Sequence, residues 1–211
     1  MRIRRDGAAR PYPERNTEPS SRPGCRASPK QHLLGCGEVL VPRYHPRMQT
    51  TVTPAKLGEE PVLRNLAQLY AYDFAEIMGW DIPDSGRFPD AIVDGCFGNT
   101  SRCPFFLRAG DHLAGFAIVD MRSRLTGDES VHDMAEFFVA RTSRRRGVGA
   151  AAAVALFDRF PGRWEVRQAD RNTAALAFWR AIIGRNTAGR FDEVRHDGPG
   201  WRGTVQSFDW P

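Results

Sequence analysis

A chain of 211 residues with 41% hydrophobic and 26% charged content is long enough for one well-buried domain and short for two. Its formal charge of +5 raises the question of a nucleic-acid partner, yet residues 1–47 hold nine Arg and one Lys against four acids, a balance of +6, which leaves the remaining 164 residues at −1. No apolar run approaches the roughly 18 residues of a membrane span, and Cys25, Cys36, Cys96 and Cys103 lack the close pairs of zinc or redox motifs, so a membrane-spanning helix and a structural metal site are excluded and a reducing cytoplasm is the expected home.

Residues 1–47 carry seven of the fifteen prolines and sustain neither a helical nor a strand period, so they read as a disordered basic leader. Arg4-Arg5 is followed by no apolar segment, which argues against a signal peptide. The composition changes at Met48, where Met-Gln-Thr-Thr-Val-Thr begins a β-branched run suited to a first strand. The expectation is a folded domain over 48–211, with translation beginning at Met48 and the leader an artefact of start-site choice.

Between Leu57 and Met78, Val62, Leu63, Leu66, Leu69, Tyr70, Phe74 and Ile77 recur at helical steps, and Gly79 supplies a stop. A Pro, Gly and Asp-rich loop over Asp81–Asp90 precedes an expected short helix at Ala91–Cys96. Pro104–Arg108 and His112–Arg122 read as a hairpin, and His132–Ala140 as a further strand. Strict alternation along that strand sets His132, Met134, Glu136 and Phe138 on one face, opposite Asp133, Phe137 and Val139. An Ala-rich helix running to Phe160, a strand over Trp164–Ala169, a helix over Asn172–Ile183 and a closing antiparallel pair (Phe191–His196 with Val205–Trp210) complete a mixed α/β sheet.

The join from Ser143 to Ala150, Ser-Arg-Arg-Arg-Gly-Val-Gly-Ala, is the most informative stretch. A glycine-rich turn entering a helix presents unpaired backbone N–H groups at the positive end of the helix dipole, a natural seat for phosphate. Gly147 and Gly149 allow close backbone approach, and three arginines supply compensating charge. The Lys and Ser/Thr of a nucleotide P-loop and the third Gly of a dinucleotide fingerprint are missing, so the segment alone is equally compatible with a bare structural turn.

Glu136-Phe137-Phe138-Val139, then Arg-x-x-Gly-x-Gly at Arg144 to Gly149, then the Ala-rich helix, Trp164-Glu165-Val166-Arg167 and Asn172-x-x-Ala175-x-x-Phe178-Trp179 closely resemble the GNAT superfamily of acyl-CoA-dependent N-acyltransferases. The resemblance is strongest over Asp133 to Gly184. It implies a GNAT-like mixed, mostly antiparallel twisted sheet with flanking helices, and acetyl-CoA as acyl donor. It further implies that Phe138 and Val139 pair with the pantetheine arm, and that the backbone of Arg145, Arg146, Gly147, Val148, Gly149 and Ala150 holds the pyrophosphate, with Arg144 in the motif's Gln/Arg position. Asn172 would then lie near the pantetheine and Phe178-Trp179 near the thioester sulfur.

Transfer of an acyl group to an amine needs a base for the amine proton. Glu136 is the first candidate and His132, on the same expected face, the second; a solvated Glu at a strand end is the competing structural reading of Glu136. Where many family members have a Tyr that protonates the leaving thiolate, this chain has Trp179, whose indole N–H cannot serve as an acid; Tyr70 and Tyr72 are the nearest replacements in chain order. Glu165 resembles a strand carboxylate that some members use. Asp81, Asp84, Asp90 and Asp94 beside Trp80, Phe88 and Phe97 form an acidic, aromatic stretch that suits a cationic small-molecule acceptor.

The expected partner is therefore a small-molecule or peptide amine, with no nucleic acid and no membrane, for a monomer or homodimer. A non-catalytic acyl-CoA-binding or sensing domain is the alternative from another class. The near-neutral body argues against a nucleic-acid surface.

Overall fold

The computed structural model describes residues 49–98, 101–198 and 201–211. The leader over 1–47, with Cys25 and Cys36, and the proposed start at Met48 lie outside the described residues.

Among the described residues seven strands form one sheet: β1 (Thr50–Pro54), β2 (Arg102–Ala109), β3 (His112–Asp120), β4 (Val131–Val139), β5 (Gly162–Ala169), β6 (Asp192–Gly198) and β7 (Trp201–Trp210). Their order is β1-β2-β3-β4-β5-β7-β6. Every neighbouring pair is antiparallel except β4 and β5, as a strand–helix–strand connection requires. The expected mixed, mostly antiparallel α/β sheet with flanking helices is what forms.

Among the described residues three α-helices cover it: α1 (Glu60–Met78), α2 (Val148–Arg159) and α3 (Thr173–Asn186). Helix α1 buries Leu63, Leu66 and Ala67 with Phe106, Phe116, Ile118 and Phe138 on one face of the sheet. Helices α2 and α3 bury Ala152, Leu156, Phe157, Trp179 and Ile183 against Phe105, Leu107, Ala117, Met134, Trp164 and Phe208 on the other. Gly79 takes a left-handed φ of 72° and its N–H bonds Ala75 C=O, which closes α1 where the sequence predicts. The segment Ala91–Cys96 is not a helix. It makes two successive turns, Val93 N–H to Asp90 C=O and Cys96 N–H to Val93 C=O, because Gly95 adopts a φ of 74° that breaks helical propagation.

The register of β4 carries the main departure. Ile118 pairs with Glu136 but Val119 pairs with Met134, so Ala135 is a one-residue bulge. A single extra residue reverses which face each later side chain occupies. Met134 joins the α2/α3 core, whereas Phe138 joins the α1 core. The strict alternation expected for His132 to Val139 is thereby broken in the middle. No helix among the described residues is long and apolar enough to cross a membrane.

Candidate active site

Strands β4 and β5 pair only from Val131–Met134 against Arg163–Val166. Beyond Met134 they part, while β4 stays bonded to β3 through Val139. Ala140 N–H donates to Ala114 C=O at 2.7 Å, so the backbone groups of Ala140 and Phe138 face β3. By the two-residue repeat, those of Phe137 and Val139 face the gap. This corrects the expectation for Phe138: Val139 presents its backbone to the gap, but the second residue to do so is Phe137. The Phe138 ring lies buried against Tyr70 and Phe116.

The open edge runs into the helix entrance. After a short 3-10 turn at Arg141–Ser143, Arg145 takes a φ of 58° and Gly147 a φ of 81°. Gly147 is the N-cap of α2 and makes no side-chain cap, so among the described residues the first-turn N–H groups are left without one. A Cβ built on Gly147 would meet nothing within 4 Å. This open, uncapped turn of donors beside a free strand edge fits a long ligand that is anionic at one end. Gly149 is packed instead, its imagined Cβ 3.4 Å from the Phe178 ring and 3.5 Å from Val139 Cγ2, which brings α2, α3 and the end of β4 together. Phe178 stacks on Phe137 at 6.0 Å, and Trp179 meets Phe137 edge-on at 5.0 Å. Asn172 Oδ1 accepts from Ala175 N–H at 3.2 Å and caps α3.

Arg144 turns toward the strand. Its Nε donates to Val139 C=O at 2.8 Å, taking one acceptor of the open edge, and its Nη2 is ion-paired with Asp73 of α1. Asp73 also accepts from Arg141 Nε at 2.8 Å, and Arg141 reaches Glu76 at 3.0 Å. Nothing in the sequence marks Asp73, since it falls on the helical repeat simply as a polar position.

On the α1 face, the Glu136 side chain is 12% exposed and accepts the Tyr70 hydroxyl at 2.9 Å. Burial pushes its carboxyl above the ordinary range; the Tyr70 hydrogen bond and the charges of Arg124, Arg102 and Arg167 oppose that rise. Burial, and then the Glu136 charge, push the Tyr70 phenol well above its usual value, so it remains a donor. Tyr72 points to solvent, 57% exposed. Of the two tyrosines noted from chain order, Tyr70 is the one beside the candidate base.

His132 is separated from Glu136 by the bulge. Its ring packs on Phe160 and Trp164 on the α2 face, which corrects its expected place beside Glu136 and removes it from the candidate bases. Glu165 accepts the Ser123 hydroxyl at 2.7 Å. Asp133, fully buried, is held by Arg167 at 3.0 Å. Two of the four acids of that stretch are ion-paired: Asp90 faces Arg64 of α1 and Arg87, and Asp94 faces Arg64.

Residues 64–184 match the Acetyltransferase (GNAT) family. A curated mycothiol acetyltransferase from Saccharopolyspora erythraea is 33% identical over 125 residues, which is 59% of this chain; the chain spans about a third (35%) of the length of that relative. Among solved structures, an acetyltransferase from Thermus thermophilus superposes with a TM-score of 0.59 at 15% identity, covering 77% of this chain and 97% of that one. Spermidine N-acetyltransferase from Vibrio cholerae, solved with CoA and spermine, superposes with a TM-score of 0.52 at 11% identity, covering 77% and 96%.

Proposed function

Because the chain belongs to the GNAT family of acetyltransferases, we propose that it moves an acetyl group from acetyl-CoA to an amine acceptor by direct attack, with Glu136 as general base. The observation that carries this reading is the free β4 edge leading into an uncapped, glycine-opened α2 entrance, with a buried carboxylate on the same strand. Acetyl-CoA supplies the activated acyl group. Phe137 and Val139 offer backbone groups to its pantetheine arm, and the N–H groups from Arg145 to Ala150 offer donors to its pyrophosphate, with Phe178 and Trp179 closing the thioester end. Asn172, its carbonyl oxygen engaged as a cap, has amide donors left for the arm.

Glu136 holds the acceptor's proton once the amine approaches. Its raised pKa makes it a stronger base than an exposed carboxylate, and Tyr70 steadies one of its oxygens. Trp179 stands where a phenol would serve as acid, so the leaving thiolate takes its proton from solvent.

Purified protein with acetyl-CoA and a panel of amines, aminoglycosides, amino acids and peptides should release free thiol, and Glu136→Gln should cut that rate by about 10²-fold or more. Full activity in the Gln variant removes Glu136 as the base. Coenzyme A binding without thiol release for any amine marks a domain that only binds the donor.

A further inference from the structure

On the α1 face lies an open cavity of about 490 Å³ lined by Asp94, Arg102, Asp120, Arg122, Ser123 and Arg124 among others; Glu136 does not line it but lies one side chain away, behind Arg124. That volume suits a small molecule. Its floor is a half-buried pair, Arg102 Nε and Asp120 Oδ1, 3.5 Å apart; both atoms are buried and neither has a hydrogen-bond partner. Arg102 is fixed from behind, donating to Ile92 C=O at 2.8 Å. Arg124 links floor to catalytic strand, reaching Asp120 at 3.5 Å and Glu136 at 3.8 Å. Arg122 is exposed and has no partner among the described residues. The cavity's own acids are already engaged, Asp94 by Arg64 and Asp120 by Arg102 and Arg124.

The site is therefore polarised. Beyond Arg124 stands the Glu136 carboxylate, the group an amine needs; the cavity itself offers guanidinium groups with spare donors. A polycation satisfies the first and is repelled by the second. A molecule carrying an ammonium and an anion a few bonds apart satisfies both, and the short reach from Arg124 to Glu136 bounds that separation. We propose that the acceptor is a short amino acid-like amine whose carboxylate is received by Arg122 and Arg124 while its nitrogen lies against Glu136. This rests on the acetyl-transfer reading above and narrows its acceptor to zwitterions, displacing the cationic acceptor that Asp81, Asp84, Asp90 and Asp94 suggest from sequence.

The test measures thiol release by the full chain with acetyl-CoA and matched acceptors: glycine against glycinamide, β-alanine against its amide, 4-aminobutyrate against its amide, with spermidine and an aminoglycoside as polycations. At least one acid should exceed its amide by about tenfold in kcat/KM. Arg122→Gln should reduce that acid-to-amide ratio by about tenfold, mostly through KM, with the amide unaffected; Arg122→Glu should reverse the preference. Taking the ratio between wild type and variant cancels the different basicity of the amines. Faster turnover of spermidine or the aminoglycoside than of every acid, or an unchanged ratio in both variants, overturns the proposal and leaves acetyl transfer intact. Absence of thiol release with every acceptor overturns both.

Discussion

Held at 12% side-chain exposure, the Glu136 carboxyl is raised by lost hydration and lowered by the Tyr70 hydroxyl and the guanidinium charges around it. Removing one of the lowering contacts leaves burial less opposed. Tyr70→Phe should therefore raise the Glu136 pKa further, and the acid limb of the kcat/KM profile should move to higher pH. A limb that stays in place, or moves down, would show that the phenol does not report on the base. Linkage gives Glu136 a second signature. Its folded pKa lies above the unfolded value, so its contribution to stability is full below the ordinary carboxylate range and is lost as pH rises through the folded pKa. Above the folded pKa the charged form is thus a cost to the fold, and Glu136→Gln should be at least as stable in thermal denaturation there while losing activity. Here the sequence was readable for residue type but not for environment. Glu136 stood out because a carboxylate sits on the strand before a phosphate-type turn. Tyr70 could not be tied to it, because the contact joins residues 66 positions apart and a helical period records only which face is apolar.

At the scale of elements, α1 and the α2 entrance are coupled through Asp73, which receives both Arg141 and Arg144. Arg144 in turn occupies Val139 C=O. Asp73→Asn should loosen this turn and raise KM for acetyl-CoA by roughly two- to fivefold, equivalent to the ~0.5–1 kcal/mol of a solvent-facing ion pair, with kcat little changed; Asp73→Glu should restore part of the loss. Equal falls in kcat and in stability would instead make Asp73 a general fold residue. Helices and strands were largely legible, because hydrophobic period and the glycines at 79 and 147 are local signals. The Ala135 bulge was not. It arises from how β3 and β4 share hydrogen bonds, and one extra residue was enough to set His132 on the α2 face, opposite Glu136. The segment at Ala91–Cys96 failed for a related reason: a left-handed Gly95 outweighs the helical tendency of its neighbours.

For the whole molecule, the charge arithmetic separates two contributions. The +6 of residues 1–47 and the −1 of the remainder predict that a chain starting at Met48 keeps the kcat/KM of the full chain within about twofold. Any binding to DNA or RNA should belong to the full chain alone and weaken steeply with salt, as counterion release requires. Salt-sensitive DNA binding by the shorter chain would reassign Arg144, Arg145 and Arg146 to a polyanion surface. The same scale gives the parting of β4 from β5 a further meaning. Strands β1 to β4 form one antiparallel array and β5, β7 and β6 another, joined along a line where only Val131–Met134 and Arg163–Val166 are paired. On the proposed acetyl-transfer reading, a cosubstrate laid along the vacant half of that line would stand in for the missing rungs of the ladder, and the sheet would be continuous only while it is bound.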